Sequence, residues 1–255
     1  WMWGNVKRGK QFVKYCDLIA TVFSKEHDFY SKIAPNKTMF IGHPLVHELP
    51  DKIDSERTVL ALFPGSRRQE INHLLPLMIS AATKIKKQYP NLQIKLALSS
   101  EEFRIEIESQ VKDCGIEIDI ITNSRELIAT STCSIVSSGT VTLEHALIGT
   151  PCVAIYKLHP ISYAIARVLV EKKIQENCHG FIAMPNILAK QKILPEFLQG
   201  EATQTAICNE ITNILTNNEV KEKIQSDFLM LKESLKSQSH PFELLSNYIF
   251  NMNKR

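Results

Sequence analysis

"SSGTVTLEHALIGTP", residues 137–151, decides how this chain is read. The chain holds only 9 glycines, yet two of them, Gly139 and Gly149, fall within this short stretch. Immediately before it, Cys133–Val136 is an apolar run short enough for a buried strand. Ser137, Ser138, Gly139 and Thr140 form a small polar turn. Val141, Leu143, Ala146, Leu147 and Ile148 then fit a short helix, with Glu144 near its start. Gly149 and Pro151 end that helix in the usual order. The local reading is therefore a strand, a tight small-residue loop and a helix whose free N–H groups face the loop. Such a helix start can bind an anion. It can equally be a plain strand–helix turn capped by Ser or Thr.

A second stretch repeats the pattern. In "VLALFPGSRRQEINHLLP", residues 59–76, Val59–Phe63 is a continuous apolar strand and Pro64, Gly65 and Ser66 turn the chain. Leu74, Met78, Ala81 and Ile85 then recur at helical spacing. Arg67 and Arg68 stand at the turn, where a cation opposes the helix dipole. Two arginines there suit an expected phosphate, which the guanidinium holds with paired N–H groups. The alternative is a solvated basic turn in which Glu70 neutralises one arginine.

Working outward, strand-like runs alternate with helical ones. Gln93–Leu98 and Ile116–Ile121 read as strands, with Phe103, Ile107 and Val111 four apart on the helix between them. A short helix around Arg125–Thr130, the Glu144 helix and the strand Cys152–Tyr156 complete the series. This βαβ alternation implies an α/β fold with a parallel sheet and helices on both faces. Ligands bind such sheets at the carboxyl ends of the strands, where both turns lie. Residues 1–45 hold a smaller piece: Lys7–Tyr15 helical, Leu18–Phe23 strand, Lys25–Ser31 helical, Met39–Ile41 strand. Charged, aperiodic Val46–Arg57 suits a linker. Residues 157–195 show little β pattern, and the chain from Thr203 onward is helical and polar.

Composition narrows the classes. A 255-residue chain with 44% hydrophobic and 22% charged residues supports a core of ordinary globular type. A net charge of +3 is too small to argue for nucleic acid as a partner. Cys16, Cys114, Cys133, Cys152, Cys178 and Cys208 are scattered without C-x-x-C, and read as reduced thiols of a cytoplasmic protein. No apolar run approaches the length of a membrane helix. Dinucleotide, Walker A, H-E-x-x-H and zinc spacings are missing, and S-S-G-T is not a nucleophile elbow. The eight histidines are dispersed and read as packing or surface residues. What remains is an anion site of two loops with Arg67 as cation and Glu144 as a nearby carboxylate, able to take a pyrophosphate and ribose hydroxyls.

That arrangement resembles the nucleotide half of a GT-B glycosyltransferase. "GHPL" (42–45), "PGSRRQEI" (64–71), "SSGTVTLEHALIGTP" (137–151), "YK" (156–157), "PNILA" (185–189) and "PEFLQ…AT" (195–203) occur in order and at distances resembling the lipid-A-disaccharide synthase family. "WMWGNVKRGK" at the start resembles that family's W-x-W segment with its basic residues. Three departures stand out. "FSKE" (23–26) replaces a more apolar segment, "EKKIQENCHGFIAMPN" (171–186) is a longer link, and Lys190 stands where the family tends to have Gly.

The resemblance implies a GT-B fold. Residues 1–45 would end an N-terminal acceptor-side domain, 46–57 would link, 58–200 would be a Rossmann-like UDP-sugar domain, and 201–255 C-terminal helices. It implies inverting transfer from UDP-2,3-diacylglucosamine to 2,3-diacylglucosamine 1-phosphate, with release of UDP. Ser66, Arg67, Ser138, Gly139, Thr140, Glu144 and Asn186 carry over as donor-site residues, Arg67 also as the catalytic cation. No cofactor and no metal are expected. A base from the missing upstream domain, peripheral attachment to the inner face of a Gram-negative-type inner membrane and a homodimer are further expectations. "ISYAIARVLVEKKI" (161–174) fits either a membrane-surface helix or a buried crossover helix. Two alternatives stay open: another UDP-N-acetylglucosamine-using GT-B enzyme or epimerase, or a UDP-binding piece without catalysis.

Overall fold

A computed structural model describes residues 6–53, 57–157 and 178–252. The W-x-W segment at 1–3 and the apolar segment 161–174 lie outside the described residues. The chain divides into two compact units, Trp1–Leu49 with Met230–Arg255, and Pro50–Leu229.

In the first unit, α1 (Val6–Phe12) precedes β1 (Ile19–Thr21), α2 (Ser24–Ile33), β2 (Thr38–Phe40) and the single turn α3 (Leu45–Glu48). β1 and β2 pair in parallel, Ile19 opposite Thr38. The structure buries Ile19, Thr21 and Phe23 and leaves the Ala20 face open. Part of the unit comes from the far end of the chain. His43 N–H donates to Leu235 O (2.9 Å), and the His47 and His240 rings lie 4.9 Å apart. Gly42, at φ +72°, sits where an added Cβ would be 2.7 Å from Ser237 N.

The second unit carries β3 (Val59–Phe63), α4 (Arg68–Gln88), β4 (Gln93–Ala97), α5 (Arg104–Val111), β5 (Asp119–Ile121), α6 (Ser124–Thr130), β6 (Cys133–Ser137), α7 (Thr140–Ile148), β7 (Cys152–Tyr156), α8 (Met184–Ala189), β8 (Glu196–Leu198) and α9 (Gln204–Thr216). α10 (Asn218–Ser234) and α11 (Pro241–Met252) follow. The six strands form one parallel sheet in the order β5-β4-β3-β6-β7-β8. β3 and β6 are buried at all five positions, as befits a parallel sheet covered on both faces. α4 turns a stripe of Ile71, Leu74, Leu75, Met78, Ala82 and Ile85 toward it. α9 covers α4, and Gln204 donates to the Ser80 carbonyl at 2.9 Å.

The chain steps from β3 to β4 and β5 on one side, then returns across β3 to lay down β6, β7 and β8 on the other. The order therefore reverses between β3 and β6, and in open α/β sheets that reversal leaves a crevice beyond the carboxyl ends. The register sets Phe63 opposite Val136, so the loop after β3 and the loop after β6 leave the sheet side by side.

The division falls within the aperiodic stretch 46–57. Leu45–Glu48 is helical with Val46 buried, and the chain divides between Leu49 and Pro50. Lys52 is docked, donating to the carbonyls of Ala129 (2.9 Å) and Ser131 (2.6 Å) at the end of α6, where a cation suits the helix dipole. The C-terminal helices do not stand apart as one block, because the division splits them at Leu229 and Met230. The "polar" helix after Thr203 has its own buried stripe, Ile207, Ile211 and Ile214.

Candidate functional site

The first loop is built around Gly65. Its φ of +113° is one that side-chain-bearing residues rarely adopt, and a Cβ there would run into the Glu70 carboxylate. α4 starts at Arg68 with Arg67 as N-cap and no side-chain cap on that residue. Glu70 reaches back from the first turn instead. It accepts from Ser66 N–H at 3.2 Å and from Arg67 Nη1 at 2.7 Å. The expectation that Glu70 neutralises one arginine therefore describes Arg67, whose side chain is nevertheless 79% exposed. Arg68 points elsewhere, to Glu106 of α5 at 3.4 Å.

The second loop follows β6. Ser138 N–H is taken by Ile155 O (3.0 Å), which extends the β6–β7 ladder by one rung. Gly139 is the N-cap of α7 and brings no side-chain cap. Its carbonyl accepts from Thr142 N–H and Thr142 Oγ1 (2.7 Å). α7 has no acidic residue in its first turn, and Gly139 and Thr140 are exposed. A helix start leaves leading N–H groups without intrahelical partners, and here that of Thr142 is taken by the Gly139 carbonyl. Gly149 ends the helix at φ +95°, the left-handed cap read from the sequence.

Glu144 lies one turn past Thr140, on the same helix face. Burial pushes its carboxyl above the usual range, and the Arg125 charge on α6 offsets part of that. Tyr156, at the carboxyl end of β7, joins the first loop. Its phenol is raised by burial first and then by Glu70, and lowered by Arg67, so all three groups share one neighbourhood. Tyr156 belongs to the "YK" motif, yet residue type alone assigned it no role.

Asn186 has a different occupation from the one the resemblance implies. It is fully buried, and all four of its hydrogen-bonding positions are filled within the protein. Nδ2 donates to Leu194 O (3.0 Å) and Glu196 Oε2 (3.1 Å), while Oδ1 accepts from Ile193 N–H (2.8 Å) and Leu194 N–H (3.0 Å). Glu196 also accepts from Ala183 N–H at 2.7 Å, which fixes the start of α8. No group of this amide is left for a ligand. α8 packs on α7, the helix that carries Glu144. Lys190 ends α8 in the left-handed region at φ +56°, a conformation that glycine takes without strain. A side chain at such a position costs about 1 kcal/mol.

His145, next to Glu144, is a core residue. It is fully buried, edge-on to Phe63 (4.8 Å), with Nδ1 at 2.8 Å from Val141 O and Nε2 without a partner. Burial lowers its pKa from 6.5 to about 4. A depressed folded-state value means that this contribution is complete above pH 6.5 and is lost as pH falls toward about 4. The full effect is about 3 kcal/mol. Urea midpoints are expected to fall between neutral and mildly acid pH, and to fall much less in His145→Leu. An equal fall in both proteins would exclude His145 as the cause.

Comparison with known proteins adds a sequence family and a fold. The family model described as lipid-A-disaccharide synthetase matches residues 1–245. The lipid-A-disaccharide synthase of a Synechocystis strain is 32% identical over 250 residues, covering 92% of this chain and 62% of that protein. That of Nitrosococcus oceani is 33% identical over 247 residues, with the same coverage. The chain thus spans about three fifths of the length of the curated relatives it matches. Among solved structures, the S. aureus MnaA–UDP co-structure superposes with a TM-score of 0.60 at 9% identity, over 94% of this chain and 61% of that one. The UDP-GlcNAc 2-epimerase of Neisseria meningitidis bound to UDP-GlcNAc gives 0.56 at 11% identity, over 93% and 62%. At such identities the likeness is one of fold, and it is the GT-B type expected above.

Proposed function

Since the chain belongs to the lipid-A-disaccharide synthetase family, we propose that its two switch-point loops hold the nucleotide of a UDP-sugar donor. The observation that carries this reading is the placement of both small-residue loops, side by side, beyond β3 and β6 where the strand order reverses. Ser66, Arg67, Ser138, Gly139 and Thr140 surround the pyrophosphate in this reading. The α7 start and the Arg67 guanidinium supply positive potential for it. Glu144, four residues along the same helix face, accepts from ribose hydroxyls. Asn186 serves as a positioning residue.

The reaction is transfer of a 2,3-diacylglucosamine unit from UDP to the 6-hydroxyl of 2,3-diacylglucosamine 1-phosphate, with inversion in one displacement. Charge develops on the departing UDP, and Arg67 with the helix start stabilises it. Residues outside this chain supply the base. The acyl chains of both substrates place the work at a membrane surface. Among the described residues no helix is long and apolar enough to cross one. Donor tests with acylated and unacylated UDP-glucosamine separate this reaction from those of other UDP-sugar enzymes. UDP binding without turnover would mark the 255-residue chain as a nucleotide-binding piece.

The site has a direct test in Glu144. Glu144→Ala is expected to weaken UDP binding by roughly 1.5–3 kcal/mol, the range for hydrogen bonds to a charged group. Calorimetry reads this without the acceptor, with and without magnesium. Unchanged affinity would return Glu144 to a solvated helix charge.

A further inference from the structure

Glu70 is unusual for an acidic residue in a first helical turn. Such a glutamate ordinarily closes on the N-cap N–H of its own helix. Here it passes the N-cap and takes the N–H of Ser66, one residue back in the loop, with Oε2. Its other oxygen, Oε1, takes Arg67 Nη1. Gly65 makes the space, since a Cβ there would meet Oε2 and Cβ of Glu70. The carboxylate is only 21% exposed, whereas the guanidinium it holds is 79% exposed. One backbone N–H and one guanidinium, gathered by a two-oxygen anion in a glycine loop, are the donors that a phosphate requires.

We infer that Glu70 is a built-in competitor of the donor's pyrophosphate, occupying Ser66 N–H and Arg67 until the nucleotide displaces it and so limiting how tightly UDP is held. The inference rests on the donor-site reading above. Releasing Arg67 from Glu70 is easy, because an exposed ion pair contributes little. Leaving a carboxylate beside an entering pyrophosphate is harder, since like charges a few ångströms apart repel appreciably at a protein surface. The product is thereby held loosely and leaves readily, while inorganic phosphate, with fewer contacts, is turned away.

Glu70→Gln removes the charge and keeps an oxygen for Ser66 N–H. In calorimetry on the 255-residue chain, Glu70→Gln is expected to bind UDP about tenfold more tightly than wild type at low salt, the gain shrinking as salt screens the repulsion. Glu70→Asp keeps the charge and is expected to stay within about twofold of wild type. Thermal melts identify any variant that fails to fold. If wild type binds no UDP, the donor-site reading falls and this inference with it. If wild type binds and Glu70→Gln binds equally or more weakly, the competitor role alone is overturned. Equal tightening in Glu70→Asp would trace the gain to a loosened loop and also overturn it. Magnesium-dependent binding that Glu70→Gln abolishes would make Glu70 a metal ligand instead.

Discussion

Arg67→Ala, introduced into the whole enzyme, is expected to lower kcat/KM by two or more decades. A preorganised donor aimed at developing charge is worth roughly 3–4 kcal/mol, and its removal costs about that much of the barrier. The fold is expected to survive. The Arg67 side chain is 79% exposed and its charge partner among the described residues, Glu70, lies three residues away on the same turn, so it supports no core. Melting temperature therefore stays near that of wild type while turnover collapses. Arg67→Lys restores charge without the planar paired donors, and recovers only part of the rate. Near-normal turnover in Arg67→Ala would remove this residue from the site. Arg68, already engaged with Glu106 of α5, would then be the next cation to replace.

Asn186→Ala is expected to act on stability. The amide joins four groups in a buried place: the Leu194 carbonyl, the Ile193 and Leu194 N–H groups and the Glu196 carboxylate. Truncation leaves the Leu194 carbonyl and the Ile193 and Leu194 N–H groups without this partner in a buried place, while Glu196 keeps the Ala183 N–H. Each orphaned buried group costs about 1–3 kcal/mol, so a total near 3 kcal/mol or more is expected. Urea unfolding measures it. Calorimetry below the transition separates the two roles that Asn186 can have. A positioning residue loses stability and little UDP affinity. A ligand contact loses affinity at unchanged stability, and that outcome would restore the donor-site role.

Much of the fold was legible because its signals are local. Val59–Phe63 and Cys152–Tyr156 are unbroken apolar runs, and both strands have those bounds. The turns after β3 and β6 were readable from Gly65, Ser66, Ser138 and Gly139, since few residue types suit such loops. β8 was not legible. It is three residues long, half-buried, follows Pro195, and becomes a strand only by pairing with Ala154–Tyr156. Ile116–Ile121 was read too long, because only Asp119–Ile121 pairs with β4. The partner of the C-terminal segment was hidden for the same reason: helical periodicity shows which face is apolar, not what covers it. In the site, residue chemistry pointed to Arg67 and Glu144. The four hydrogen bonds of Asn186 were not legible, because an asparagine in a motif looks the same whether its amide faces a ligand or four neighbours. Tyr156 was overlooked because its place beside Arg67 and Glu70 arises from strand order alone.

The reversal of strand order also sets a timetable for the molecule's assembly. β3, β4 and β5 follow one another along the chain and can associate early. β3 meets β6 only after a loop closes across the 73 residues that separate Val59 from Thr132, whose hydroxyl accepts the Val59 N–H. Long closures are slow steps, and the waiting edge of β3 is apolar at every position. The crevice is therefore expected to form late, when the second half of the sheet docks against the first. A nucleotide held there, as proposed above, would recognise finished molecules and draw the equilibrium toward them.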